Sequence, residues 1–353
     1  MPRVGAVVVI VLMSLCAVPY GAGAQEPEVA VAELAAPSPV TASGGTAVFS
    51  RLDAATGRYE LVLQQVNGLP LVLPFATQRA PFEADLGTDS DGRPAVIAAV
   101  EGGADRGTSG GLDLQVLTID RDAAPRPVRN ANTGADEHAP TIDQGRIAFA
   151  RTSAGRTGDV VYTKRLVAPR ARPSTRLPGV PTRRCALGRP PGSTCVTGER
   201  SVQQLDLVDA ALAQHVRYRV GGAASYFEDE IRWVVLGRGT SRPVAHVSGG
   251  ESAQRFEGVQ LAGSRISWYR GCERVCPGQY TAAFRYRPGV GYDVDPTPPG
   301  GLSGFAGTGD GTWQIRGAQL DTCGGDDDLA ATPCTLVRTH EPRWTRIAAS
   351  RVR

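Results

Sequence analysis

Apolar residues along this chain fall in short runs that alternate with polar positions and are bounded by Gly, Asp and Pro, which is the spacing of strands. The clearest unit is Asp136 to Leu166, DEHAPTIDQGRIAFARTSAGRTGDVVYTKRL. Arg146 to Arg151 and Asp159 to Leu166 read as two strands across a Gly-containing turn, and an extended segment before them ends in the turn Asp143-Gln144-Gly145. One such hairpin cannot bury its own face. Weaker copies recur: Thr46 to Arg51 with Arg58 to Gln65, Pro94 to Val100 with Leu112 to Asp120, and Ser201 to Val208 with Ala211 to Tyr218 and Glu230 to Leu236. Two more are Arg265 to Arg270 with Tyr280 to Arg287, and Gly311 to Arg316 with Thr335 to Thr339. Gln203 to Val220 comes nearest to a helical pattern, but its Leu205-Asp206-Leu207-Val208 alternation favours strands.

Superimposing the strand that follows each turn aligns Phe49, Ala98, Phe149, Gln214, Trp268 and Gln314, at separations of 49, 51, 65, 54 and 46 residues. Four-stranded units repeating at roughly 40 to 50 residues predict an all-β chain folded as a single β-propeller. Six anchors predict six blades, with a seventh between Asp209 and Val247 as the alternative. Extended segments precede several anchors (FEADL, HAPTID, SVQQLDL, RFEGVQL), and we expect each to be the outer strand of the preceding blade. By that logic Val29 to Val40 supplies the outer strand of the last blade, so that the N-terminal strand closes the ring; a disordered Ala/Pro-rich tail is the alternative. The anchor strands themselves are expected to line the central channel.

Gly 43 and Pro 26 suit many tight turns, and an apolar fraction of 41% suffices for a large core. Lys164 is the single lysine, a bias that fits a GC-rich genome. A net charge of +3 against 35 acidic residues lacks the basic stripe that nucleic-acid binding requires, so no such partner is expected. Residues 1–24 carry Arg3, an apolar run from Val4 to Val18 and Ala22-Gly23-Ala24, the plan of a cleavable secretory signal. A retained anchor or lipidation at Cys16 is the competing reading. The domain proper then spans 25–353, with a Pro/Arg/Gly-rich, disordered-looking insertion at about 167–199. Six cysteines remain in an exported chain, which argues for disulfides. They fall in local couples: Cys185 with Cys195, Cys272 with Cys276, and Cys323 with Cys334. Cys272 and Cys276 could be half of a zinc site, but no second couple completes it.

Asp143-Gln144-Gly145-Arg146-Ile147-Ala148-Phe149 resembles the turn-plus-strand signature of TolB-like and WD-like propeller repeats. The stretch Asp85 to Pro94, Arg265 to Cys276 and the Cys334-Thr335-Leu336-Val337 ending resemble exported actinobacterial proteins of the same architecture. The resemblance implies an exported propeller, and it transfers no catalytic residue. In such relatives an aromatic often stands at the positions of Ala98 and Gln214.

Of the four histidines, His138 is the most suggestive, because Asp136 and Glu137 lie beside it for orientation or ligand binding. His215 is expected to pack in a strand, and His246 and His340 in outer strands. There is no G-x-S-x-G elbow and no H-E-x-x-H. Asp89-Ser90-Asp91-Gly92 reads as a hairpin turn, since Gly87 and Ala98 would occupy calcium-ligand positions. Asp326-Asp327-Asp328 reads as a solvated loop. Arg51, Arg151, Arg270 and Arg316 each close an anchor strand, so a partial guanidinium ring in the channel, binding carboxylate or phosphate, is a further expectation. Its counterpart is that each Arg pairs with an acidic residue of the neighbouring blade. No cofactor or metal is expected, and a monomer is. The leading reading is a non-catalytic binding or scaffold module at or outside the cell envelope. A propeller lyase or hydrolase is the second, and a sugar or peptidoglycan platform built on Trp233, Trp268, Trp313 or Trp344 the third.

Overall fold

The computed structural model describes residues 29–36, 38–102, 111–152, 158–166, 174–177, 199–220, 226–238, 240–248, 254–272, 282–295, 302–309, 311–317, 334–340 and 345–347. They form six antiparallel sheets. Blade 1 holds β2 (Val40–Ser43), β3 (Thr46–Asp53), β4 (Arg58–Gln65) and β5 (Leu71–Val72), and blade 2 holds β6 (Glu83–Thr88), β7 (Pro94–Glu101), β8 (Leu112–Thr118) and β9 (Arg126–Pro127). Blade 3 holds β10 (Asp136–Asp143), β11 (Arg146–Thr152), β12 (Val160–Arg165) and β13 (Thr175–Arg176). Blade 4 holds β14 (Glu199–Val208), β15 (Ala211–Val220), β16 (Tyr226–Val235) and β17 (Thr240–Ser248). Blade 5 holds β18 (Gln254–Ala262), β19 (Arg265–Cys272), β20 (Ala282–Arg287), β21 (Gly291–Asp295) and a fifth strand, β25 (Thr345–Ile347). Blade 6 holds β22 (Leu302–Gly307), β23 (Gly311–Gly317) and β24 (Cys334–His340), and its outer strand is β1 (Val29–Leu34). The protein is a six-bladed propeller closed by its N-terminal strand.

The repeat that the hydrophobic pattern predicts is the one the chain forms. All six anchors lie in the second strand of a blade, and none is more than 2% exposed. The Gln203–Val220 stretch is two strands. Cores form between blades: Leu61, Leu73 and Phe82 with Val96 and Leu117 join blades 1 and 2, and Ile231 and Trp233 with Ile266, Trp268 and Phe284 join blades 4 and 5. Hydrophobic burial therefore stabilises the ring as a whole, and no blade is complete alone.

Two placements differ from expectation. The extended segments before the anchors are not outer strands: β6, β10, β14 and β18 pair with the anchor strand of their own blade. Successive inner strands, from β2 round to β22, contact one another about the axis. The anchor strands thus sit one position out from the channel. Val29–Leu34 pairs with β24 as expected, whereas Val40 already begins the inner strand of blade 1; Thr345–Ile347 pairs with β21 on blade 5. Within the 167–199 stretch, Thr175–Arg176 completes blade 3 as its outer strand.

Candidate functional site

The inner strands begin at one mouth of the channel, and there four of them break register. Bulges fall between His138 and Thr141, Val202 and Gln204, Glu257 and Gln260, and Leu302 and Gly304. A bulge leaves an extra residue out of the ladder and bends the strand, which opens space at a rim. The result is a cavity of about 350 Å³ walled by all six blades, through Val40, Asp85, Pro140, Leu205, Glu257 and Phe305 among others.

On blades 4 and 5 the cavity wall is charged. Arg217 grips Asp229 with two hydrogen bonds of 2.8 and 3.0 Å, and His215 Nε2 lies 3.2 Å from the same carboxylate. Burial works against the Asp229 charge, but His215 and Arg217 outweigh it and hold this acid well below the usual carboxylate range. Arg255 Nε stands 2.6 Å from Glu257 Oε1, while Glu257 Oε2 is buried without a hydrogen-bond partner among the described residues. Burial pushes Glu257 up, partly countered by Arg255, His215 and Arg217. Across the axis on blade 2, Glu83 Oε2 accepts the Ala139 amide at 2.6 Å.

Below the cavity a polar belt crosses from blade to blade. Thr41 Oγ1 donates to Asp85 at 2.6 Å, Thr141 Oγ1 donates to Asp85 at 2.7 Å, and the Ile142 amide adds a bond of 2.9 Å. The Leu207 amide donates to Thr141 Oγ1 at 2.9 Å, Leu261 N donates to Asp206, and Gln260 Nε2 donates to the Ala42 carbonyl. Burial raises both Asp85 and Asp206, and the Asp85 charge pushes Asp206 further up. Sequence reasoning missed Asp85, Asp206, Glu257 and Arg217, since each sits in an ordinary strand; the signal shared by the first three was a polar residue in the pre-anchor segment, whereas Arg217 lies on the anchor strand β15 itself.

The residues singled out from sequence do not converge. Arg51 pairs with Glu60 (2.6 Å), Arg151 with Glu137 (2.7 Å) while its guanidinium lies over the Tyr162 ring, Arg316 bonds Gln314 (2.7 Å), and Arg270 covers the Phe284 ring. None is among the cavity-lining residues, although their strands hold the same place in the blade as β15, whose His215 and Arg217 do line it. Asp136 Oδ1 accepts the Leu112 amide, and the fully buried Glu137 turns away to Thr133 and Arg151. His138 instead meets Asp159 (Nε2 to Oδ2, 3.2 Å) and Glu83 (Nδ1 to Oε2, 3.8 Å). Asp159 also accepts Thr152 Oγ1 and the Val202 amide, which ties blade 3 to blade 4. His246 is on outer strand β17 near Glu228, and His340 lies in the third strand, β24. Asp89 Oδ1 accepts the Asp91 and Arg93 amides and so caps its own turn. Trp233, Trp268 and Trp313 are buried; Trp344 and Asp326 to Asp328 lie outside the described residues. So do residues 1–28, Cys185, Cys195, Cys276 and Cys323, and the Cys272 side chain, while Cys334 is buried beneath β1. Among the described residues, no group of three or more His, Cys, Asp and Glu is placed to hold a metal ion, and no helix is long and apolar enough to cross a membrane.

No protein-family model matches the chain, and no curated protein matches it. Solved structures similar to it include TolB from Acinetobacter baumannii (TM-score 0.47, 11% identity, covering 85% of this chain and 65% of that one). The β-propeller domain of the Trilobed protease from Pyrococcus furiosus, which has an open velcro topology, is similar with a TM-score of 0.43 and 9% identity, covering 80% and 78%. A prolyl endopeptidase is similar with a TM-score of 0.36 and 14% identity, covering 80% and 46%. The chain thus spans less than two thirds of the TolB and endopeptidase chains.

Proposed function

We propose that this propeller is an exported, non-catalytic binding module whose ligand, a small molecule or the end of an extended chain, enters the channel mouth. The observation that carries the reading is the cavity of about 350 Å³ to which all six blades contribute, holding a buried Glu257 oxygen without a hydrogen-bond partner among the described residues. A concave site with apolar walls and a few convergent polar groups is the default form of a ligand site, and an unpaired buried acceptor is costly until something donates to it. Export rests on the signal-like composition of residues 1–24, and we pair Cys185 with Cys195, Cys272 with Cys276 and Cys323 with Cys334 on their spacing. The chain works on this reading at or outside the envelope, as a monomer.

The test is a thermal-shift screen of peptides and oligosaccharides on the mature chain, followed by titration calorimetry of each stabilising compound. Ala84 lines the cavity and is half-buried, so Ala84→Trp puts a bulky ring into that space, and the melt of the variant alone checks that the core of blades 1 and 2, against which Ala84 also packs, is kept. Compounds that stabilise the parent and not the Trp variant support the reading. Compounds that stabilise both equally, or a screen in which nothing binds, sink it.

A further inference from the structure

Five of the seams between blades are closed by clusters of ten or more buried apolar residues, but the described cluster between blades 5 and 6 holds four: Tyr269, Ala283, Leu302 and Phe305. The same face of blade 5 carries arginines. Ser267 faces Gly307 of β22 closely enough that a Cβ there would come within 2.0 Å of its hydroxyl, which fixes this face as the one turned to blade 6. Ser267 pairs with Arg285, and side chains two residues apart along a strand share a face, so Arg265, Arg285 and Arg287 all project on this side. They wall a pocket of about 80 Å³ with Asp293 and Val290, at the end of the ring opposite the ligand cavity.

Three guanidinium groups and one carboxylate line this pocket. Asp293 is held by Arg285 at 2.8 Å, and among the described residues the guanidinium groups of Arg265 and Arg287 have neither a hydrogen bond nor an ion pair. Like charges on facing strands destabilise a sheet, and the neighbouring Arg287 and Arg285 add to burial in lowering Arg265. An anion bound between them would relieve that repulsion, and the planar donor forks of arginine match phosphate oxygens.

We propose that this pocket on blade 5 is a phosphate-binding site, separate from the cavity at the other mouth. The experiment is a thermal-shift titration of the mature chain with sodium phosphate against sodium chloride at matched ionic strength, backed by ³¹P line broadening as a direct measure of binding. A saturable, phosphate-specific rise in Tm is expected, with affinity about a hundredfold or more weaker in Arg265→Gln/Arg287→Gln, which loses two charge-assisted hydrogen bonds to the anion. Arg265→Lys keeps the charge but loses the fork, and should fall between the two. Ala84→Trp should leave the phosphate response intact, so the outcome is independent of what the channel mouth binds. Glycerophosphate serves as a second ligand: response to both identifies a phosphoryl group on a larger molecule, and response to inorganic phosphate alone a free ion. Equal responses to phosphate and chloride, or a phosphate response unchanged in the double variant, would overturn the site.

Discussion

If β1 closes the ring, a substitution on its buried face must weaken the whole propeller, and Leu34 is the residue to change. It is 2% exposed and pairs with Cys334, and it packs in one cluster with Val40, Phe49, Trp313 and Ile315 from blades 1 and 6. Leu→Ala at a site of this kind costs about 2–5 kcal/mol, from lost burial and the cavity left behind. At roughly 2–4 °C per kcal/mol for a domain of this size class, Leu34→Ala should lower Tm by roughly 5–15 °C. Glu33, the preceding residue, is exposed, so Glu33→Ala should stay within about 0.5 kcal/mol of the parent. Calorimetry of the mature chain and both variants makes the comparison. A chain begun at Ser38 supplies the second arm: it loses the register from Val29 to Leu34 and bares the edge of β24. An open edge recruits other chains, so size-exclusion chromatography should show oligomers. A Leu34→Ala melt that matches Glu33→Ala, or a truncated chain that stays monomeric at the parent Tm, refutes closure by β1.

Asp206→Asn should stabilise the protein at pH 8, because burial and the Asp85 charge raise the acid, so that folding favours its protonated form and the penalty of its charge shrinks as pH falls; the gap between parent and variant melts should narrow on acidification and close only near the unfolded value of 3.8. His138 is pulled down by burial, but the bond to Asp159 and the charges of Glu83 and Asp159 win and raise it above 6.5. Its contribution is therefore complete below about pH 6.5 and lost as pH rises through the folded value, whereas Asp159, lowered from 3.8 by His138 against the effect of burial, contributes above about pH 3.8. His138→Gln should accordingly destabilise most between these limits and little at pH 9, and a uniform loss across pH would contradict the pairing. At the mouth, Gly258 has φ +61°, and a Cβ would meet the Phe305 carbonyl oxygen at 1.9 Å. Gly258→Ala should cost more than about 1 kcal/mol in urea melts; an unchanged midpoint would mean the bulge tolerates a side chain.

The repeat was legible because each blade keeps its own turn and apolar strand. In blade 3, Gln144 (φ 47°) and Gly145 (φ 66°) form the tight turn that Asp143-Gln144-Gly145 announces, and Phe149 is fully buried three residues after Arg146. Strand position within a blade was not legible. An inner strand and an outer strand are both short and extended, and only pairing tells them apart: HAPTID pairs with its own anchor strand, and its apolar content fits either place. That one misassignment moved Arg51, Arg151, Arg270 and Arg316 into a channel they do not line. The cavity was hidden for a related reason, because its groups come from six separate blades, and neither Glu257 nor Asp85 has a neighbour in sequence that marks it.

The polar belt bears on how the cavity can work. Gln260 of blade 5 reaches past blade 6 to the Ala42 carbonyl of blade 1, and Thr41, Asp85, Thr141 and Asp206 carry hydrogen bonds round the other side. These bonds cross between blades beneath the cavity, so on the reading proposed above a ligand would enter and leave by the same mouth. Gln260→Ala tests this. Blade 6 offers Ala306 and Gly307 at the end of its inner strand, which cannot replace an amide donor. The loss leaves the Ala42 carbonyl buried without that donor, a cost of about 1–3 kcal/mol. Hydrogen exchange should quicken in β2 and β18, with the outer strands β5 and β9 unaffected. Unchanged protection of β2 and β18 would show that packing alone closes the channel.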